Sequence, residues 1–335
     1  MPLTADILEF YAAQKYPRAF PWLLKDMTTG RNIIWATDDY EHLNLFSGKT
    51  SEIDQSLITD EQNRCLICPR ALKPKSLQKK RSREKAEVFT PAWICNVQNN
   101  LIDAAWFGRK RVFNKEKNGG KSWTVLTPKI CKSAFDATGK IAFPKRKTWQ
   151  DYVCLVRMEV SCGEAPYLVS RYDCTKKRKT PMRISLRVGL LDRKLRVVSE
   201  NTETPDEWFY WAKKAFQSIY GFEFQGDNLL LARENLLFSF VDYYREKFGE
   251  NPSDEQATEI AEIIAWNIWQ MDALKLVVPF SCCDEALPGL SKTLAEKRPC
   301  PGCAKNDRNL HNGIYCKIKD WESGEILEFR KAMIQ

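Results

Sequence analysis

The feature that most constrains this chain is an alternation of short apolar runs and long helical patterns between residues 152 and 271. Tyr152 to Val160 is the strand candidate that opens the series. Asp206 to Ile219 reads as a helix, with Asp206 and Glu207 at its N-terminus, where the helix dipole attracts negative charge. Tyr220 to Phe224 reads as a short strand. Asn228 to Phe248 carries Leu229, Ala232, Leu236, Phe240 and Tyr243 near helical spacing. Ser253 is placed to cap a further helix running towards Trp266, and Ile268 to Met271 reads as a strand. Strands separated by helices pair in parallel through crossovers, so the pattern predicts an α/β fold.

The flanks divide the chain into three parts. Residues 5–16 read as a short amphipathic helix with Ile7, Leu8, Tyr11 and Ala12 on one side. Phe20 to Lys25 and Asn32 to Thr37 read as a β-hairpin that turns at Gly30. Residues 38–85 lack periodicity, end in a basic stretch and read as a loop or arm. Together these form an N-terminal region, 1–85. A core follows over 86–279, with a helix from Trp93 to Trp106. Its insertions lie at about 108–150 and 171–205, the second holding a short apolar segment from Val188 to Leu191. Residues 280–335 form a polar, cysteine-bearing tail.

Charge narrows the partners. The formal net charge of +9 fits either a solvated surface or a nucleic-acid partner. The clustering favours DNA. Lys73, Lys75, Lys79, Lys80, Arg81, Arg83 and Lys85 fall in one stretch, and Arg171, Lys176, Lys177, Arg178, Lys179, Arg183 and Arg187 in another. No run approaches the roughly 20 apolar residues of a membrane span. The first residues show no basic segment leading into an apolar one, so a cytoplasmic location is expected. No Pro-Asp…(Asp/Glu)-x-Lys arrangement in strand context supports a nuclease.

Twelve cysteines without a secretion signal point to metal binding or buried thiols rather than disulfides. Cys300-Pro301-Gly302-Cys303 is a C-x-x-C knuckle. With one thiolate upstream and one downstream it makes a tetrahedral zinc site. The preferred set is Cys282, Cys300, Cys303 and Cys316, with Cys283 or His311 as alternates. Redox chemistry is the rival reading. Cys65-Leu66-Ile67-Cys68 has no second pair nearby and reads as buried thiols; His42 reads as a surface residue.

The run Glu159-Val160-Ser161-Cys162-Gly163-Glu164-Ala165-Pro166-Tyr167-Leu168 follows a strand and should open a loop leading into a helix. A nucleotide-like ligand binds in such a place, outside the carboxyl end of a strand. Ser161, Cys162, Gly163 and Ala165 are small enough for close backbone approach. An acid at the strand end can accept from an ammonium group. An ordinary strand-loop-helix turn is the plain alternative.

This run resembles motif I of the gamma-class adenine-N6 DNA methyltransferases: acid, two residues, Cys, three residues, Pro, aromatic, Leu. Three more segments resemble the class in its own order. Glu87-Val88-Phe89-Thr90-Pro91 looks like the Phe-Thr-Pro segment that closes over the methionine end of S-adenosylmethionine (SAM). Tyr220-Gly221-Phe222-Glu223-Phe224 looks like the strand whose acid binds the ribose hydroxyls. Asn267-Ile268-Trp269-Gln270-Met271-Asp272-Ala273-Leu274 resembles the segment whose acid reaches the adenine amino group.

The resemblance implies a partial Rossmann-like SAM-dependent methyltransferase core. Phe89, Thr90, Pro91, Glu159, Cys162, Gly163, Glu164, Pro166, Tyr167, Glu223, Phe224, Asp272 and Ala273 would surround the cofactor. The chain as a whole is similar to bacterial modification subunits of restriction or phage-defence systems.

The class transfers its methyl group at an Asp/Asn/Ser-Pro-Pro-aromatic motif that holds the flipped base. This chain has no Pro-Pro pair; Asn251-Pro252-Ser253 is the nearest fragment. The large target-recognition region of the class is missing too. No catalytic residue is therefore expected here. A second subunit would carry the Asn-Pro-Pro-Tyr motif and target recognition, making a split methyltransferase inactive as the single chain. The alternative is a non-catalytic DNA-binding or assembly subunit that keeps the fold.

Overall fold

The structure is a computed structural model, and it describes residues 9–41, 48–63, 66–177, 180–286 and 297–332. In chain order come α1 (Glu9–Lys15), α2 (Phe20–Leu24), α3 (Gln55–Thr59), α4 (Lys75–Lys85) and α5 (Ala92–Phe107). An antiparallel hairpin of β1 (Asn114–Lys117) and β2 (Ser122–Val125) follows. The middle of the chain holds α6 (Trp149–Cys154), β3 (Arg157–Glu159), α7 (Leu190–Asn201), α8 (Pro205–Gln217) and β4 (Ile219–Glu223). Then come α9 (Gly226–Phe248), α10 (Asp254–Asn267) and β5 (Ile268–Gln270). The tail contains β6 (Glu285–Ala286), β7 (Lys297–Arg298), α11 (Pro301–Lys305), β8 (Lys317–Lys319), β9 (Ile326–Glu328) and α12 (Phe329–Ala332).

β3, β4 and β5 form one parallel sheet in that order, with Glu159 opposite Gly221 and Glu223 opposite Gln270. The helices that join them begin where the sequence places caps. The Thr204 hydroxyl accepts from the Glu207 N–H ahead of α8, and Ser253 and Gln256 form a reciprocal cap on α10. α9 stops at Gly249, whose φ of +79° suits glycine. One hydrophobic core runs from Ala12 and Phe20 through Trp208 and Phe240 to Ile268. A smaller cluster on the sheet joins Phe222, Trp269 and Met271 to Cys316 and Phe329 of the tail.

The two sheet edges differ. Beyond β5, the Gln270 side chain donates to Ile34 O (2.8 Å) and Phe224 O (2.9 Å) and accepts from Ile34 N (2.9 Å). That edge is covered by the N-terminal region. Beyond β3, no strand pairs among the described residues.

Several sequence expectations need correction. Phe20 to Lys25 is not a hairpin arm: Pro21 sits in the first turn of α2, where its missing N–H costs nothing. Only Lys25 and Asn32 bridge around the Gly30 turn. Residues 75–85 are not an arm but α4, whose Arg81 is fully buried. The 108–150 stretch contains the β1–β2 hairpin. Tyr152 to Val160 begins as α6, because Thr148 and Asp151 form a capping box. The 171–205 stretch contains α7, opened by Gly189 and Asp192. His42, Cys65, Arg178 and Lys179 lie outside the described residues.

Candidate functional site

The carboxyl ends of β3, β4 and β5 open into a cleft of 940 Å³, within the usual size of a small-molecule site. Of the residues expected around a cofactor, all but Pro91 and Glu164 line it. Pro91 stands at the N-cap of α5. Glu164 is buried away from the cleft, accepting from Arg70 N (2.6 Å) and from the Tyr172 hydroxyl (2.8 Å). Burial pushes its carboxyl up to about 7.

Two acids terminate neighbouring strands. Glu159 accepts from Tyr167 N (3.3 Å) and Leu168 N (3.2 Å), so it holds the loop that follows it. Burial, with a smaller push from the Glu223 carboxyl beside it, raises its pKa to about 8 against those hydrogen bonds. Glu223 accepts from Gly163 N (2.8 Å) and Gln225 N (3.2 Å), and burial raises its pKa too. Asp272 sits at the lip, where it accepts from Leu274 N (3.0 Å) and Lys275 N (3.2 Å).

The loop from Glu159 does not lead into a helix as expected; α7 begins only at Leu190. Ser161, Gly163 and Ala165 are all left-handed, with φ of +50°, +54° and +59°. Holding non-glycine residues there costs about 1–3 kcal/mol each. The compensating contacts are the two acids and Cys162 N, which donates to Phe222 O (2.8 Å). A Cβ on Gly163 would lie 3.2 Å from the Phe89 ring, so Phe89 closes directly over this turn.

A buried ion network, which the sequence reading missed, holds the opposite wall. Arg81 donates to Asp227 through both terminal nitrogens (2.8 and 3.0 Å) and to Glu87 (2.5 Å), Asp39 (2.9 Å) and Gln225 (2.6 Å). Lys73 and the Tyr40 hydroxyl also donate to Asp227, each at 2.9 Å. Despite burial, Lys73 and Arg81 hold Asp227 far below the usual carboxylate range. The network fixes the α4–α5 connection, Ala86 to Pro91, against the start of α9. Of the two basic clusters, Lys73 and Arg81 therefore belong to the interior. So do Arg171 and Arg187, which both donate to Asp242, at 2.9 and 2.5 Å. Lys75, Lys79, Arg83, Lys177 and Arg183 remain exposed.

A second site lies in the tail. The Sγ atoms of Cys282, Cys300 and Cys303 stand 3.6, 3.5 and 3.7 Å from His311 Nδ1, and all four donor atoms lie within 4.8 Å of one another. Tetrahedral zinc, with bonds of about 2.3 Å to sulfur and 2.0 Å to nitrogen, would set sulfur and nitrogen roughly 3.5 Å apart. These four residues can hold a metal ion and are compatible with structural zinc. Surrounding groups orient them: Asn312 N donates to Cys300 Sγ (3.3 Å), and His311 N donates to the Tyr315 hydroxyl (2.9 Å). A Cβ on Gly302 would lie 2.6 Å from His311, so the knuckle requires glycine there.

The expected ligand Cys316 is not in this cluster. It is buried on the sheet with its Sγ 3.4 Å from Gln270 O. Cys283 is exposed and also outside it. His311, an alternate in the sequence reading, is the fourth donor.

Among the described residues, no helix is long and apolar enough to cross a membrane. Comparison with protein-family models, curated proteins and solved structures finds no match for this chain.

Proposed function

We propose that this chain is the SAM-binding subunit of a split adenine-N6 DNA methyltransferase, working in the cytoplasm in a restriction or phage-defence system. One observation carries the reading. Acids at or just beyond the ends of three successive parallel strands face one cleft, and the Phe89-Thr90 segment borders it. In this reading the sheet is the SAM-binding half of a Rossmann-like core. Glu159 takes the ammonium group of SAM. Each Glu223 oxygen already accepts one N–H and keeps a lone pair for a ribose hydroxyl. Asp272 serves the adenine amino group, with Phe224 and Phe280 beside it, their ring centroids 5.5 Å apart. The tail metal is zinc, and its four protein ligands give it a structural role.

The bare side of β3 supports a partner. Val156, Met158 and Val160 alternate along this open edge and are 61%, 41% and 67% exposed. Exposed Val88, Ile102, Leu274 and Phe280 continue the apolar rim around the cleft. Soluble proteins cover or charge such edges, and a second chain bearing the Pro-Pro-aromatic motif would cover this one.

The test is methyl transfer from labelled SAM to adenine in duplex DNA. The chain alone should transfer nothing. With the subunit that carries Asn-Pro-Pro-Tyr, transfer should appear, and Glu223→Ala should abolish it. Transfer by the partner alone, at the rate of the pair, would overturn the proposal. The exposed lysines and arginines favour the second reading, a non-catalytic DNA-binding subunit. That reading predicts salt-sensitive DNA binding by the pair and no transfer.

A further inference from the structure

The net charge of the chain is concentrated away from the two basic clusters whose arginines turn inward. Residues 108–148, between α5 and α6, hold twelve Lys and Arg against two acids, Glu116 and Asp136, a net +10. The whole chain carries +9, so all other residues together carry −1. Of the twelve cations, all but Arg109 and Lys140 are exposed. None of them lies within ion-pair distance of a carboxylate among the described residues. The two acids are held by neutral donors: Glu116 accepts from Asn100 Nδ2 (2.8 Å), and Asp136 from Thr138 N (2.8 Å) and the Thr138 hydroxyl (2.7 Å). Like charges gathered without counter-charge repel one another, and a polyanion relieves that repulsion.

The insertion is laid along α5. In the hairpin turn, a Cβ on Gly120 would lie 2.9 Å from Val97 and 3.9 Å from Trp93. Asn114 is hydrogen-bonded to Asn96 (2.7 Å) and Asn100 (2.9 Å). Farther on, Arg109 donates to Ala134 O (3.1 Å) and Ala142 O (2.9 Å), and Lys147 donates to Trp106 O (2.9 Å). These contacts follow the helix over nearly all of its 16 residues, roughly 24 Å. From the same helix Asn99 and Ile102 line the cleft, so the basic strip runs beside it. In the hairpin Lys115 stands opposite Thr124 and Lys117 opposite Ser122, which puts all four on one face. The other face carries buried Asn114 and Trp123, whose Nε1 donates to Leu186 O (3.1 Å).

We propose that this insertion is a binding surface for the phosphate backbone of duplex DNA, independent of its sequence. Lys, Ser and Thr side chains are the groups that contact phosphate oxygens, and the face of Lys115, Lys117, Ser122 and Thr124 offers them together. A strip of roughly 24 Å spans about seven base pairs, and so faces several phosphates on each strand. With Trp123 turned to the body of the protein, single-stranded bases find no stacking platform in the hairpin. A membrane surface would attract the same charge, but peripheral segments also bury apolar side chains, and Ile130 is the one large exposed apolar residue of the insertion. The choice of DNA among polyanions rests on the function proposed above; the surface itself does not depend on what the cleft binds.

The test is fluorescence anisotropy of a labelled mixed-sequence DNA duplex titrated with the full chain, without SAM. Affinity should fall about a hundredfold or more between 50 and 200 mM salt and change little with duplex sequence. The triple variant Lys115→Gln, Lys117→Gln, Lys121→Gln should bind about tenfold or more weakly, with the slope of log affinity against log salt reduced by about 3 and the melting temperature unchanged. A charge-matched variant of exposed tail residues, Lys305→Gln, Arg308→Gln, Lys317→Gln, should bind as the parent does. Vesicles of phosphatidylcholine and phosphatidylserine should bind more weakly than the duplex. No binding at 50 mM salt, equal losses in the two variants, an insertion variant that binds like the parent, or a preference for vesicles would each overturn the proposal. Failure of the cleft to bind SAM would leave this result standing, and failure here would leave the SAM titration untouched.

Discussion

The cleft and the metal cluster are held together in opposite ways. The cleft has a large apolar core behind it, and its far wall is fixed by charges distant in sequence: Arg81 reaches Asp227 and Asp39. The tail has little core beyond Cys316, Ile318 and Phe329, and four donor atoms between residues 282 and 311 hold it. A short polar segment buries little to offset its ordering entropy, and a metal on these four donors would supply the difference. The two regions should therefore fail separately.

The largest expected effect is in the tail. Cys300→Ser should eliminate bound metal, measured by elemental analysis, and expose amides of residues 297–316 to hydrogen exchange. A structural zinc of this kind contributes on the order of 10 kcal/mol to the order of its own segment. Cys316→Ser should keep its metal. Loss of metal in that variant would restore the ligand set expected from the sequence.

Next is the cleft wall. Arg81→Met takes the guanidinium shared by Asp227, Glu87 and Asp39 out of the interior, leaving Asp227 to Lys73 and Tyr40, and should cost about 3–5 kcal/mol in urea unfolding, with metal content unchanged. Asp227 has a depressed pKa, so its contribution is present above the unfolded value near 4 and disappears as pH falls below it. The variant should thus lose part of the acid sensitivity of the parent. An equal loss of metal would show that the regions are coupled.

Glu159 has the opposite sign. Its carboxyl is raised from 4.5 to about 8, so folding favours the protonated form. Stability should fall as pH rises through that window and level off above it. Glu159→Gln should flatten the slope of urea midpoints between pH 5 and 8. An unchanged slope would assign it to another group, such as Glu164 or Glu223.

The smallest effect belongs to Gly163→Ala. With φ at +54° and Phe89 at 3.2 Å, it should cost about 1 kcal/mol in thermal unfolding. A stabilised variant would show that Phe89 can move aside.

The same contrast explains what the sequence discloses. The C-x-x-C knuckle is a local spacing and was legible; His311 as fourth ligand was not, because only packing excludes Cys316. The pattern from Asp206 to Met271 was legible because caps and apolar periodicity agree, as at Ser253 and Gln256. The Thr148-x-x-Asp151 box was an available signal for α6 that apolar content alone hid. Nothing near Arg81 indicates that it is interior: α4 is polar but for Leu77, and the partners of Arg81 lie up to 147 residues away. The candidate cleft residues were found by motif order. Lys85, Gln225 and Phe280, which line the same cleft, carry no such signal.

If the cleft at the ends of β3, β4 and β5 binds SAM as proposed, calorimetric titration with SAM at pH 6 and pH 8 will show it. One SAM per chain is expected, bound more tightly at pH 8 because Glu159 must ionise to receive the ammonium group. Glu159→Gln should bind about tenfold or more weakly and lose the pH dependence. No heat at either pH, or equal affinity in Glu159→Gln, would contradict it.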